Sequence, residues 1–138
     1  MTPSNWRTLA LALSLPLTLF TVGSVAAQDA PITRREILKT ELPGLQGMDG
    51  IMYVTDVAPG AAAPRHSHPG YEFNYVLKGA LTFEIDGEAP KTISAGQATF
   101  TPRGHIHKVT NASSTEPAQI VVVLIHEEGQ PLAVNAKQ

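Results

Sequence analysis

Beyond residue 27 the chain keeps no long helical spacing of apolar positions; apolar residues instead alternate with polar ones or gather in short blocks. ITRREILKT, IMYVTDV, EFNYVLKG, ALTFEID, KTI, QATFT, HKVT and AQIVVVLIH are rich in β-branched and aromatic residues. They are punctuated by Gly, Pro and Asp-Gly, so each is predicted to be a strand. Asp86-Gly87, between LTFEI and PKTI, predicts a hairpin because both residues tolerate positive φ. The block IVVVLI is apolar at every position and predicts a strand covered on both faces. Residues 128–138 carry no such pattern and predict a frayed tail. Many short strands at regular spacing predict an all-β sandwich or barrel.

The first segment, MTPSNWRTLALALSLPLTLFTVGSVAAQDA, follows a different pattern. One cation, Arg7, precedes an apolar run from Leu9 to about Val22, and small residues follow, ending Val25-Ala26-Ala27. This is the three-part layout of a secretory signal peptide. The apolar run is short and broken by Pro16, which argues against a permanent membrane span. The expected division is therefore a signal peptide over 1–27, cleaved after about Ala27, and a single domain over 28–138 with its core at about 48–126. Cleavage leaves 138 less 27, or 111, residues, enough for a small β-barrel. The expected location is periplasmic or secreted, with no stable membrane anchor. The Arg34-Arg35 pair follows the apolar run and is not a twin-arginine export signal.

Composition excludes several classes. The net charge is −2, no basic block is present, and the charges are scattered, so neither nucleic acid nor a DNA-binding regulator is expected. There is no cysteine, which removes disulfides, thiolate metal sites, cysteine nucleophiles and a cysteine-linked lipid anchor.

The chemistry gathers on histidine. Of five in the chain, His66 and His68 stand one residue apart, and so do His105 and His107. On a strand, residues i and i+2 face the same way, so each pair presents two imidazoles to one side. Glu72 follows His68 at matching parity, although Pro69-Gly70 interrupts the strand between them. Imidazoles beside a carboxylate suit a divalent transition metal. His126 stands alone and is expected to be a partly exposed terminal residue. If Glu72 faces inward, Asn74 and Val76 should as well, with Phe73, Tyr75 and Leu77 outward. Met52, Val54, Phe83 and Phe100 are candidates for pocket or core, and Arg65 or Arg103 for meeting an anionic substrate at the mouth.

Two spacings carry a resemblance. The first is Gly60, five residues, His66, one, His68, three, Glu72, six, Gly79; the second is Gly96, five, Pro102, one, Gly104, two, His107, three, Asn111. They resemble the two motifs of the cupin superfamily, with each defining position filled. The sixteen residues between them resemble the short spacing of small single-domain bacterial cupins. The resemblance implies a double-stranded β-helix, a jelly-roll-like β-barrel. It implies one divalent metal ion (Mn, Fe, Ni, Co, Cu or Zn) held by His66, His68, Glu72 and His107. His105 is not a ligand in that pattern, and its parity with His107 makes it a candidate acid/base group. Three imidazoles and a carboxylate leave two positions of an octahedral shell for exchangeable ligands. The expected function is a secreted metalloenzyme acting on an oxygen-rich small molecule, of dioxygenase, isomerase or lyase type. The alternative is a non-catalytic periplasmic module that binds a sugar, a metabolite or the metal. Family resemblance and the β-rich segment ITRREILKTEL further suggest a homodimer in which an N-terminal strand pairs with the other subunit.

Overall fold

From Gly70 to Leu77, buried and exposed residues alternate without a break, as they do in an extended chain with one face against a core. The computed structural model describes residues 31–137, which form ten strands and no helix. These are β1 (Ile32–Glu41), β2 (Met48–Val57), β3 (Ala62–Ser67), β4 (Gly70–Lys78), β5 (Ala80–Ile85), β6 (Lys91–Ser94), β7 (Ala98–Thr101), β8 (His107–Asn111), β9 (Ala118–Glu127) and β10 (Val134–Asn135). They make two five-stranded antiparallel sheets, ordered β1-β2-β9-β4-β7 and β10-β3-β8-β5-β6. The predicted signal segment 1–27 lies outside the described residues. Among those residues, no helix is long and apolar enough to cross a membrane.

The inner faces of the sheets supply one core. Ile51, Tyr53, Val76, Ile120, Val122 and Leu124 come from the first sheet, and Leu81, Phe83 and Ile93 from the second. Leu81 and Leu124 are fully buried; each contributes about 2 kcal/mol by removal from water. The register decides which candidates reach this core. On β2 the inward residues are Ile51, Tyr53, Thr55 and Val57, opposite Leu124, Val122, Ile120 and Ala118 of β9. Met52 and Val54 therefore face away from the pocket, though Val54 is buried as a core candidate should be, and Phe100 is exposed and lies against Phe73 on the outer surface. Phe83, Asn74 and Val76 point inward as expected.

All eight predicted strands form, and β5 and β6 pair through the Asp86-Gly87 turn. Two strands escaped the hydrophobic pattern. β3 contains Pro64 inside an irregularity of its pairing with β8, between Ala63 and His66. β10 lies in the segment expected to be frayed. That segment is held by backbone bonds instead: Val134 and Asn135 pair with Ser67 and His66, and the Ala136 N–H donates to the Arg65 carbonyl at 2.9 Å. Such bonds need no apolar side chain, so hydropathy does not reveal them. The strand β9 is buried at Ile120, Val122 and Leu124 but only half-buried at Val121, Val123 and Ile125, so among the described residues it is fully covered on one face, not two. β1 pairs with β2 of its own chain.

Gly70 is required by space. A Cβ there would stand 2.4 Å from the Ile125 carbonyl oxygen and 2.8 Å from the His126 Cα, both backbone atoms of the neighbouring strand. Gly70→Ala is expected to destabilise the protein by about 2 kcal/mol through overpacking. This is readable as a lower urea midpoint with unchanged slope. Where alanine fits, the same change stabilises by about 0.4–1 kcal/mol, and that result would refute the steric reading.

A candidate metal centre between the sheets

The pairing of β3 with β8 sets His66 directly opposite His107. His68 follows at the end of β3, and Glu72 arrives from β4 in the facing sheet. The imidazole centroids are 4.3 Å apart for His66 and His107, 4.9 Å for His66 and His68, and 5.3 Å for His68 and His107. One ring nitrogen from each of the three lies within 4.8 Å of the others. The Glu72 oxygens approach two of them, Oε1 at 3.3 Å from His68 Nε2 and Oε2 at 3.3 Å from His107 Nε2. All four residues are buried.

The other ring nitrogens are tied to backbone. Nδ1 of His66 meets the Pro64 carbonyl at 2.6 Å, Nδ1 of His68 the Leu132 carbonyl at 2.6 Å, and Nδ1 of His107 the His105 carbonyl at 3.2 Å. A carbonyl only accepts, so each Nδ1 carries a proton, and in the neutral imidazole Nε2 keeps its lone pair. His68 Nε2, His107 Nε2 and Glu72 Oε2 are buried with no hydrogen-bond partner; the 3.3 Å contacts are close enough for ion pairs but not aligned as hydrogen bonds. Unpartnered buried polar atoms aimed at one point cost about 1–3 kcal/mol each, and a divalent cation there would satisfy them together. The three histidines can hold a metal ion, and Glu72 is placed to join them.

The electrostatics agree. Burial alone would raise the Glu72 pKa, but the contacts with His107 and His68 outweigh it and hold the carboxyl well below the usual carboxylate range. Burial likewise pulls His107 down, and contact with the Glu72 charge outweighs it and raises His107. Burial dominates at His66, which is lowered to about 4. In the metal-free protein His66 thus stays neutral while the unfolded chain takes up its proton below about pH 6.5. Its contribution to stability is present above that pH and is lost as pH falls toward 4. His107 works in the opposite direction, so a variant must isolate the effect. Urea titrations of metal-free wild type and His66→Asn should differ in their pH 7 to pH 4 loss by about 2–3 kcal/mol, wild type losing more. Parallel losses would contradict a buried neutral His66.

Other candidates land elsewhere. His105 precedes β8, on a turn where strand parity does not reach. Its side chain is exposed and does not line the cavity, and its carbonyl, not its ring, serves the site by orienting His107. Arg65 pairs with Asp86 and Arg103 with Glu127, and neither lines the cavity. His126, expected to be partly exposed, is buried because Gly70 and the Pro131 carbonyl close over it; its Nε2 meets that carbonyl at 3.1 Å. Asn111 is a backbone clamp, donating from Nδ2 to the carbonyls of Val57, Ala58 and Glu116 while Oδ1 accepts from the Ser113 N–H. Gly104, with φ of 75°, turns the second motif so that its N–H donates to the His68 carbonyl at 2.9 Å, which joins the two motifs.

A cavity of about 40 Å³ adjoins the centre. Its lining includes His66, Glu72, His107, Asn74, Thr55, Tyr53 and Arg34 amid apolar side chains. Tyr53, Thr55 and Arg34 were not anticipated. The inward parity of odd residues in IMYVTDV was the available signal, but nothing in one strand says which parity faces in.

The chain belongs to the cupin family: residues 53–124 match the family described as "Cupin domain". Germin-like protein 5-1 of Oryza sativa subsp. japonica is 38% identical over 86 residues, covering 59% of this chain and 38% of that protein. Oxalate oxidase GF-2.8 of Triticum aestivum is 32% identical over 94 residues, covering 62% and 42%. The chain thus spans less than half the length of these relatives. A solved structure of recombinant oxalate oxidase in complex with glycolate superposes with a TM-score of 0.61 at 30% identity, covering 76% of this chain and 55% of that one. The DMSP lyase DddQ of Ruegeria pomeroyi DSS-3 shares the fold, with a TM-score of 0.64 at 22% identity over 77% of this chain and 52% of that one.

Proposed function

We propose that this cupin is a secreted metalloenzyme in which His66, His68, Glu72 and His107 hold one divalent transition-metal ion, and that it acts on an oxygen-rich small molecule. The observation that carries the reading is the set of buried, unpartnered donor atoms of His68, Glu72 and His107 converging beside a cavity. Such an ion supplies Lewis acidity and exchangeable coordination sites. The chain's own residues orient and enclose. Backbone carbonyls fix the three imidazoles, and the two sheets exclude bulk water. Tyr53, whose pKa burial raises, stays a neutral phenol at the cavity wall. Relatives named as oxalate oxidase and as a DMSP lyase support small-molecule oxidation or lyase chemistry. The test is a panel of small acids, diketones and phenols given to metal-loaded protein, with oxygen uptake and product release as readouts. Turnover that disappears in Glu72→Gln is expected; no turnover with any member would refute the enzyme reading.

One observation favours the alternative, a non-catalytic binding module. The cavity wall among the described residues holds no histidine beyond those at the centre, because His105 is outside it. His105→Ala decides its part: metal content and turnover within about twofold of wild type are expected from a solvent-facing ring, and lost turnover with metal retained would restore it as an acid/base group.

Secretion and dimerisation belong to the same proposal. N-terminal sequencing of exported protein should begin near Gln28, and an intact Met1 would overturn cleavage. The outer sheet face exposes Tyr71, Phe73, Tyr75, Leu77 and Phe100, a concentration that supports contact with a second copy. Light scattering at micromolar concentration should give twice the chain mass; a monomer mass removes the dimer.

A further inference from the structure

We propose that Arg34, Thr55 and Asn74 form an anion seat in the cavity, and that the ligand of this site is a short organic acid whose carboxylate occupies it. The proposal rests on the metal-centre reading for the other end of the ligand and on independent observations for the seat.

The first observation is placement. Arg34 of β1 stands directly opposite Thr55 of β2 and shares its inward face, while Arg35 stands opposite Val54 on the other face. Arg34 lines the same cavity as His66, Glu72 and His107. Its guanidinium carbon lies 5.7 Å from the centre of the Tyr53 ring, a cation–π distance that steadies an otherwise mobile side chain.

The second is an imbalance of donors. Asn74 Nδ2 and Thr55 Oγ1 are buried without hydrogen-bond partners, and their residues are only 3% and 6% exposed. Arg34 adds a fork of five N–H donors and no acceptor. Among the described residues no carboxylate pairs with it, whereas Arg65 and Arg103 each have one. This wall offers an amide N–H, a hydroxyl and a guanidinium. An anion with two acceptor oxygens is the kind of group such donors recognise, and a carboxylate is one.

Charge and size narrow the choice. Glu72 alone would repel an anion, but a divalent ion and Arg34 together leave the cavity net positive. The cavity is small, about 40 Å³. A small cavity favours a short-chain acid over a sugar. A second oxygen of the acid would then face the histidines.

The test is calorimetric titration of metal-loaded protein with malonate and succinate and, as uncharged matches, with malonamide and succinamide. At least one diacid should bind tenfold or more tighter than its diamide. Arg34→Gln should erase that preference with metal content unchanged, and Arg34→Lys should keep part of it. Thr55→Val, which removes a buried unpartnered hydroxyl, should melt no lower than wild type yet bind the diacid several-fold more weakly. Wild-type diacid affinity in Arg34→Gln, or no diacid binding by wild type, overturns the proposal while leaving the metal centre intact. If the protein takes up no metal, the centre fails instead. The seat is then decided in metal-free protein by whether Arg34→Gln weakens diacid binding or leaves it unchanged.

Discussion

Chelating the metal-loaded protein should lower its melting temperature by on the order of 15 °C, and the same chelator should leave His107→Ala unmoved. An ion that binds only the folded state at a concentration a thousandfold above its Kd stabilises by about 4 kcal/mol, and about 1 kcal/mol shifts a domain of this size by roughly 4 °C. The effect should be large because the site is formed only by folding. His66 and His107 meet through the β3–β8 pairing, and Glu72 comes from the opposite sheet. His107 is the informative substitution because it is fully buried, opposite His66 and in contact with Glu72. Its removal also leaves a cavity, so the absolute melting temperature of the variant is a poor guide. Sensitivity to the chelator separates lost ligation from lost packing. A chelator shift in His107→Ala equal to that of wild type would place the ion elsewhere.

Ending the chain at Glu128 should weaken metal binding by about 10–100-fold, the usual effect of removing a group that orients a ligand. The deleted segment supplies the Leu132 carbonyl that accepts from His68 Nδ1, the Pro131 carbonyl at His126, and β10 along β3. None of these atoms touches the proposed ion. The truncated chain should keep its far-UV circular dichroism, since the central strands β2, β9 and β4 and the pair β5–β8 remain. A competition titration with a fluorescent chelator reads the affinity. Unchanged affinity in the folded truncation would show that His68 is oriented without the tail.

What was legible in the sequence divides along physical lines. Strands with alternating or β-branched residues, such as EFNYVLKG and AQIVVVLIH, announced themselves because one face must be buried. The grouping of His66, His68, Glu72 and His107 was legible because the two motif spacings resemble those of cupins, whose glycines at Gly79, Gly96 and Gly104 adopt positive φ here. The remaining features depend on contacts remote in sequence. Leu132 orients His68 from 64 residues away through a carbonyl that any residue could provide. Gly70 is fixed by the backbone of β9. Arg34 reaches the cavity only because its strand pairs with β2 in a register that puts it opposite Thr55. Parity placed Asn74 and Val76 correctly once Glu72 anchored β4, but β2 had no such anchor, so Met52 and Val54 were candidates for a pocket that Tyr53 and Thr55 line instead, although Val54 is buried. His105 sits before β8 begins, where strand parity does not apply.

The central claim is that His66, His68, Glu72 and His107 hold one transition-metal ion, and elemental analysis by plasma mass spectrometry tests it most directly. Tag-free protein should be exported, purified without chelators and compared with His107→Ala prepared in parallel. The account predicts close to one ion of Mn, Fe, Co, Ni, Cu or Zn per wild-type chain and close to none in the variant. A wild-type protein that carries no such ion and takes up none on reconstitution, or a variant that carries as much as wild type, would contradict it.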